Sequence, residues 1–415
     1  MSRNVFLLYH KIILVVPRLL ETSKIMSTEE IKKQLQIAIV GICIVAITGG
    51  LGRFAYTPII PYMQTSLLLT STDIGLIASS NYLGYLVGSI IPLFIAFEAR
   101  QKLTLYWSVI VSIISLGLMG FTIELNHFIV LRFFQGVSGA IALVIATNLI
   151  FSEITEGQSL DLRLAHISGF GLGMFLSAIL IWICSLFSLD WYQQWFAVSF
   201  TCLVLTIPIL ILDPKSKVLP KNSTSENKNS MSIGFIGISV GYFFFGLGYI
   251  IFGTFIAAMA VNTPALANVQ HATWILVGLA AMPAIFFWQK VSRFTGNHIS
   301  LALSCFTTSF GIFLLYFFDS PVTSLVACLA YGLGVVGIVG LVLLEGKIRH
   351  KGSVKFAVAF LTTTFSIGQI SGPYISGIMI DFFGDYKNAM LLSGSALGIA
   401  GFCMFNYKAL LPSRL

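Results

Sequence analysis

Twelve apolar runs, each about as long as a helix needs to cross a bilayer, follow one another along this chain with mostly short polar breaks between them. A hydrocarbon core of about 30 Å takes about 20 apolar residues of helix. No water lies inside that core to serve the backbone, so each run has to satisfy its own N–H and C=O groups. The runs fall at 37–61, 73–96, 103–122, 127–151, 163–187, 194–212, 233–260, 271–289, 299–318, 322–345, 355–380 and 387–409. Of the 415 residues, 57% are hydrophobic and 10% charged, against about 25% charged in a soluble domain. A transmembrane barrel alternates polar and apolar residues in segments of about ten, a pattern this sequence lacks. The expected fold is an all-α membrane protein of twelve transmembrane helices.

The segment DPKSKVLPKNSTSENKNS, residues 213–230, is the one long polar stretch after the N-terminal region and reads as a flexible linker. It divides the chain into a segment at 1–36, a six-helix bundle at 37–212, a linker at 213–232, a second six-helix bundle at 233–410 and a tail at 411–415. An internal repeat agrees with that division. GLGRFAYT (50–57) matches GLGYIIFGT (246–254), and SGFGLGMFLSA (168–178) matches IGQISGPYISG (367–377) at an offset of 199. Two matches at nearly one offset favour duplication of a six-helix unit.

Lysine and arginine placement predicts the orientation. With both termini and the linker cytoplasmic, all of the 24 basic residues lie on that side except Lys387, Arg53 and Arg132. The net charge of +8 is scattered over short loops, which argues against a nucleic-acid surface. Residues 1–25 resemble a signal sequence, but Lys11 and Pro17 interrupt the apolar run and no small-residue cleavage site follows. They read either as a membrane-surface segment or, the favoured reading, as sequence upstream of a start at Met26. The six cysteines all lie within apolar runs without CxxC spacing, so neither a disulfide nor a metal is expected. No cofactor is implied.

Two of those basic residues stand inside spans. At about 1.5 Å per residue, Arg53 lies about 24 Å from the cytoplasmic start of span 1, and Arg132 about 8 Å from the outer start of span 4. A guanidinium at such depth costs roughly 2.5 to 3.5 kcal/mol on insertion scales and faces a wet cavity or a partner. Either the two snorkel to headgroups or pair with Asp73 or Glu124, or they line a common cavity and attract an anionic group. In RFFQGVSGA (132–140), Arg132, Gln135, Gly136 and Gly139 share one helical face. Tyr56, Asn81, Tyr85 and Tyr249 are further candidates for substrate contact, with Phe54, Phe134 and Tyr242 as aromatic lining. Gly52, Gly136, Gly139, Gly368, Gly372, Pro373 and Gly377 are candidates for helix packing and gating, since glycine lets backbones meet and proline kinks a helix. His166 reads as a structural group or, less economically, a proton relay. No carboxylate lies mid-span, and no nucleophile triad, HExxH, phosphate loop or dinucleotide fingerprint appears, so an enzyme is not expected.

Twelve spans in two joined halves resemble the major facilitator superfamily, and the resemblance covers the chain from about residue 30. The superfamily's fourth-span motif, R-x-x-Q-G followed by small residues, is matched by Arg132, Gln135, Gly136, Gly139 and Ala140. GLGRFAYTPIIPYMQ (50–64) and SSNYLGYLVGS (79–89) are similar to hallmark stretches of the bacterial YbfB/YjiJ-type branch. The superfamily's loop between spans two and three is reduced here to IAFEARQKL (95–103), and a Gly-Pro pair stands in span 11 rather than span 5. The resemblance implies a secondary transporter in a bacterial inner membrane, monomeric and embedded in the lipid bilayer. By its analogy the protein moves a small organic solute by alternating access with a proton as coupling ion, and spans 1, 4, 7 and 10 face the cavity; Arg53 and Arg132 make an anionic solute the expectation. A ligand sensor or scaffold that does not transport is the alternative.

Overall fold

The computed structural model describes residues 28–94, 101–154, 160–212, 232–350 and 354–406. The expected start at Met26, the linker at 213–230 and the loop charges Glu98 and Arg100 lie outside the described residues. Among those residues eleven helices are long and apolar enough to cross a membrane. The helix Val354–Phe383 is the twelfth long helix, and Thr362, Thr363, Thr364, Ser366, Gln369 and Ser371 lower its hydropathy.

Several helices outrun their apolar runs. Span 1 begins at Thr28 rather than Ile37, because Glu29, Glu30, Lys32 and Lys33 are good helix formers that continue the helix beyond the apolar part. Spans 7, 10 and 11 have 30, 29 and 30 residues, about 45 Å at helical rise and longer than the hydrocarbon is thick. Apolar content marks the stretch that crosses the hydrocarbon, whether it faces lipid or, as in span 7, the protein interior. Polar caps mark where some helices start: Asp190 and Gln193 close a capping box before Trp191, and Ser320 with Thr323 does so before Pro321.

The helices form two six-helix halves that meet along two antiparallel seams. In one, span 2 (Ser71–Phe94) lies against span 11. Gly75 abuts the backbone of Pro373 and Tyr374, Gly377 abuts that of Ser71, and Ser79 Oγ donates to the Ile370 carbonyl at 2.7 Å. In the other, span 5 (Ser168–Leu186) lies against span 8 (Gln270–Thr295), Gly171 meeting Met282 and Gly278 meeting Phe175. Adding 203 to the span 2 residue and subtracting 199 from the span 11 residue carries Gly75–Tyr374 onto Gly278–Phe175, and Ser79–Ile370 onto Met282–Gly171. The offset of 199 is that of the sequence repeat, so the duplicated motifs occupy equivalent places in a pseudo-twofold interface.

The end of the bundle remote from Thr28 and Asn406, called here the far end, carries a polar closure. Asp381, near the end of span 11, accepts from the backbone N–H groups of Ser71 and Thr72, each at 2.8 Å, and from Thr72 Oγ1 at 2.6 Å. The carboxylate of one half thus caps a helix of the other, where free N–H groups and the helix dipole favour negative charge. Thr57 Oγ1 donates to the Gly253 carbonyl at 2.6 Å, a further bond across the halves.

Candidate functional site

Span 1 is not a continuous α-helix. It runs as α-helix over Thr28–Val45, widens to a π-helical turn over Ala46–Leu51, resumes over Gly52–Phe54, is interrupted in its hydrogen-bond ladder at Ala55, whose backbone stays helical, and continues over Tyr56–Leu67. Pro58 lacks the N–H that the Phe54 carbonyl would use, and Pro61 stands inside the last helix. Gly49 and Gly50 let the widened turn close onto Phe170 and Gly173 of span 5. Wide turns of this kind recur at functional sites, and broken helices at mid-membrane supply binding groups in transporters.

Arg132 is fixed to this break. Its Nη1 donates to the Gly52 carbonyl at 2.8 Å and to Gln135 Oε1 at 2.7 Å, and its Nη2 donates to the Arg53 carbonyl at 2.9 Å. The guanidinium lies 4.9 Å from the Tyr56 ring centroid, while Tyr56 Oη donates to the Ile74 carbonyl. Asn81 Nδ2 donates to the Arg132 carbonyl at 3.0 Å. Spans 2 and 4 come close enough for that bond because Gly84, Gly88 and Gly136 leave no Cβ between the backbones.

Arg53 has a different environment. Its guanidinium lies 4.3 Å from the Tyr85 ring centroid, 4.7 Å from Tyr82 and 5.9 Å from Phe54. The residue is 8% exposed, and its Nη2 is buried without a hydrogen-bond partner. No carboxylate pairs with it among the described residues. Span 2, which carries Tyr82 and Tyr85, meets span 11 of the second half at the Ser79–Ile370 bond. Spans 7 and 11 carry a laminate of parallel rings. Tyr242 and Phe365 stack at 4.4 Å and 8°, Phe245 and Tyr249 at 5.1 Å and 14°, and Tyr249 and Phe365 at 5.8 Å and 5°. Gln369 donates to Tyr249 Oη, while Gln369 Oε1 and Tyr331 Oη are buried and unpaired.

The candidates Arg53, Tyr56, Asn81, Tyr85, Arg132 and Gln135 therefore cluster around one interruption in span 1, while Tyr249 lies in the other half against Phe245, Phe365 and Gln369. Neither arginine snorkels, for Arg132 is 1% exposed. The expected water-filled flank of Arg53 is occupied instead by tyrosine rings, whose faces attract the cation. Two crevices in the molecule, one beside Ile44 and Lys102 and one beside His271 and Trp274, have neither arginine in their walls. Phe134, expected as lining, is 50% exposed. His166 is held between Thr147 Oγ1 and the Arg163 carbonyl, both at 3.0 Å, as a structural group. Gly52 approaches Ser112, Gly139 approaches the Thr48 carbonyl, and Gly368 and Gly372 meet the backbone of span 7 at Phe243 and Leu247. Pro373 lies in the seam against Gly75.

Sequence reasoning passed over Tyr82, Phe245, Phe365, Tyr331, Asp381 and the widened turn. Spacing was the available signal for several of them: Tyr82 and Tyr85 stand at i, i+3, Phe365 and Gln369 at i, i+4, and Tyr242, Phe245 and Tyr249 at i, i+3, i+7.

Among solved structures, the nucleoside transporter NupG is similar in fold. A point mutant of it aligns with a TM-score of 0.67 and 14% identity over 92% of this chain and 100% of that one. A second NupG structure aligns with a TM-score of 0.64 and 14% identity over 91% and 98%. No curated protein matches in sequence. A family model described as "Uncharacterised MFS-type transporter YbfB" matches residues 45–405, and with twelve helices in two halves the chain belongs to that family of major facilitator superfamily secondary transporters.

Proposed function

We propose that this transporter carries a small organic anion, and that Arg53 is the group that binds it. The buried, unpaired Nη2 of Arg53 carries this reading. A buried ion costs several kcal/mol in lost hydration. Each cation–π contact returns about 0.5 to 2 kcal/mol, so the tyrosines offset part of that cost and an acidic solute would supply the remainder. Tyr85 and Tyr249 contribute to the site from the two halves. Asn81 and Gln135 act with Arg132, whose Nη1 and Nη2 donate to the chain itself and hold the stretch from which Arg53 projects, only its Nε staying unpaired. NupG is a nucleoside transporter; a neutral nucleoside would leave the Arg53 charge uncompensated, which favours an anion here.

Transport proceeds by rocking of the bundles 37–212 and 233–410, joined by the linker 213–232, about the seams of spans 2 and 11 and of spans 5 and 8. The glycines and Pro373 at these contacts are the surfaces on which that motion turns. The protein acts as a monomer without catalytic activity in the bacterial inner membrane, both termini cytoplasmic and the far end outward, with a proton as coupling ion. The test is uptake of a panel of labelled small carboxylic acids by proteoliposomes, with and without an imposed pH gradient. At least one acid should accumulate, faster with the gradient, and R53Q should abolish its uptake while the variant remains monodisperse. Equal uptake by R53Q refutes the assignment of Arg53, and uptake indifferent to the gradient refutes proton coupling.

A further inference from the structure

The ring laminate adds a second requirement to the charge. Tyr242, Phe245, Tyr249 and Phe365 lie parallel, with pairwise angles of 5° to 14° and centroids 4.4 to 6.2 Å apart. Aromatic pairs in proteins adopt both stacked and edge-on arrangements, and the neighbouring contacts Phe54–Phe170 and Phe243–Phe244 are edge-on, at 78° and 80°. Four mutually parallel faces from spans 7 and 11 form a slab that is complementary to a flat ring and offers less to a puckered one. Span 2, which holds Tyr82 and Tyr85 over Arg53, meets span 11 at the Ser79–Ile370 bond, one residue from Gln369.

Two polar atoms lie beside the slab. Gln369 Oε1 is a buried acceptor without a donor, because the amide uses its N–H on Tyr249 Oη. Leaving such a group unmet costs about 1 to 3 kcal/mol. Arg53 Nη2 is likewise a buried donor without an acceptor. A guanidinium donates in its own plane and matches the paired oxygens of a carboxylate. The site thus asks for an acidic group at one end, a flat apolar body, and a hydrogen-bond donor on the body.

We infer that the substrate is a planar aromatic monocarboxylate bearing a hydroxyl or amino donor on its ring. The carboxylate pairs with Arg53, the ring lies along the slab of Tyr242, Phe245, Tyr249 and Phe365, and the donor meets Gln369 Oε1. This rests on the reading of Arg53 as the anion-binding group.

The experiment is equilibrium binding to the purified full chain in nanodiscs, followed by tryptophan fluorescence, since Trp274 lies 6.3 Å from Phe54 beside Arg53. The probes are 4-hydroxybenzoate, benzoate, cyclohexanecarboxylate, 4-hydroxybenzamide and uridine. Wild type should bind 4-hydroxybenzoate at least about tenfold more tightly than cyclohexanecarboxylate, the scale of aromatic stacking, and also more tightly than 4-hydroxybenzamide. Benzoate should fall between the two acids, and Q369L should abolish its disadvantage relative to 4-hydroxybenzoate. These comparisons on wild type require no variant to fold. Equal binding of the two flat and puckered acids, both lost in R53Q, overturns the aromatic proposal and leaves the anion site standing. Binding of uridine or the benzamide with no binding of any acid overturns both, and binding of none of the probes overturns the aromatic proposal.

Discussion

Arg132 donates through Nη2 to the carbonyl oxygen of Arg53 at 2.9 Å, so one buried guanidinium holds the backbone from which another projects. The two arginines on spans 1 and 4 have different surroundings. Arg53 faces the Tyr82 and Tyr85 rings with Nη2 unpaired, whereas Arg132 gives both terminal nitrogens to carbonyls and Gln135 and leaves only Nε unpaired. The geometry makes Arg132 a positioning residue for Arg53.

Removing Arg132 should therefore weaken the fold as well as transport. Hydrogen bonds to charged groups contribute about 1.5 to 3 kcal/mol each, and R132Q loses those to Gly52 and Arg53. R132K, a point charge without the planar fork, should recover part of the loss. Thermal unfolding in detergent is the measurement, with the order wild type, R132K, R132Q expected. A midpoint in R132Q equal to that of wild type would remove the strut.

Gly84 and Gly398 should respond oppositely to alanine. A Cβ on Gly84 would collide with the Phe133 backbone, whereas one on Gly398 would meet Ser309 Oγ at 3.4 Å, an ordinary contact. Alanine within a helix otherwise gains about 0.5 to 1 kcal/mol over glycine. G84A should lose monodispersity in gel filtration, and G398A should match wild type or exceed its thermal stability. Equal behaviour of the two would show that spans 2 and 4 do not pack as closely as the Asn81–Arg132 bond requires.

Asp381 joins span 11 to the first turn of span 2, and that contact must part when the far end opens. D381A should raise the rate at which a water-soluble maleimide labels a cysteine placed at Ser79, a residue buried in the same seam. The native Cys43, Cys184, Cys202, Cys305 and Cys328 are buried and Cys403 is half-buried, so the rate is taken against C403S backgrounds with and without S79C. Labelling of S79C at the same rate with and without Asp381 would exclude the carboxylate as a latch.

Membrane topology was legible because its cause is local. Span count, the division into halves and the 199-residue repeat follow from runs of apolar residues and from motifs such as GLGRFAYT, and each helix satisfies its own backbone whatever its neighbours are. The clustering of Arg53, Arg132, Gln135 and Asn81 was legible for a similar reason, since charged and amide side chains inside a span need partners within it. The partners themselves were not legible. Which guanidinium takes carbonyls and which takes ring faces depends on where span 1 breaks, and that break depends on Gly49 and Gly50 closing onto span 5. The cap at Asp381 was not legible because the N–H groups that donate to it belong to a residue pair 309 and 310 positions away in the chain. The sequence by itself determined a twelve-helix, two-half membrane protein, through hydropathy that acts residue by residue. Only the tertiary structure decided which polar groups pair and which remain unpaired, because that depends on contacts between helices that no single span encodes.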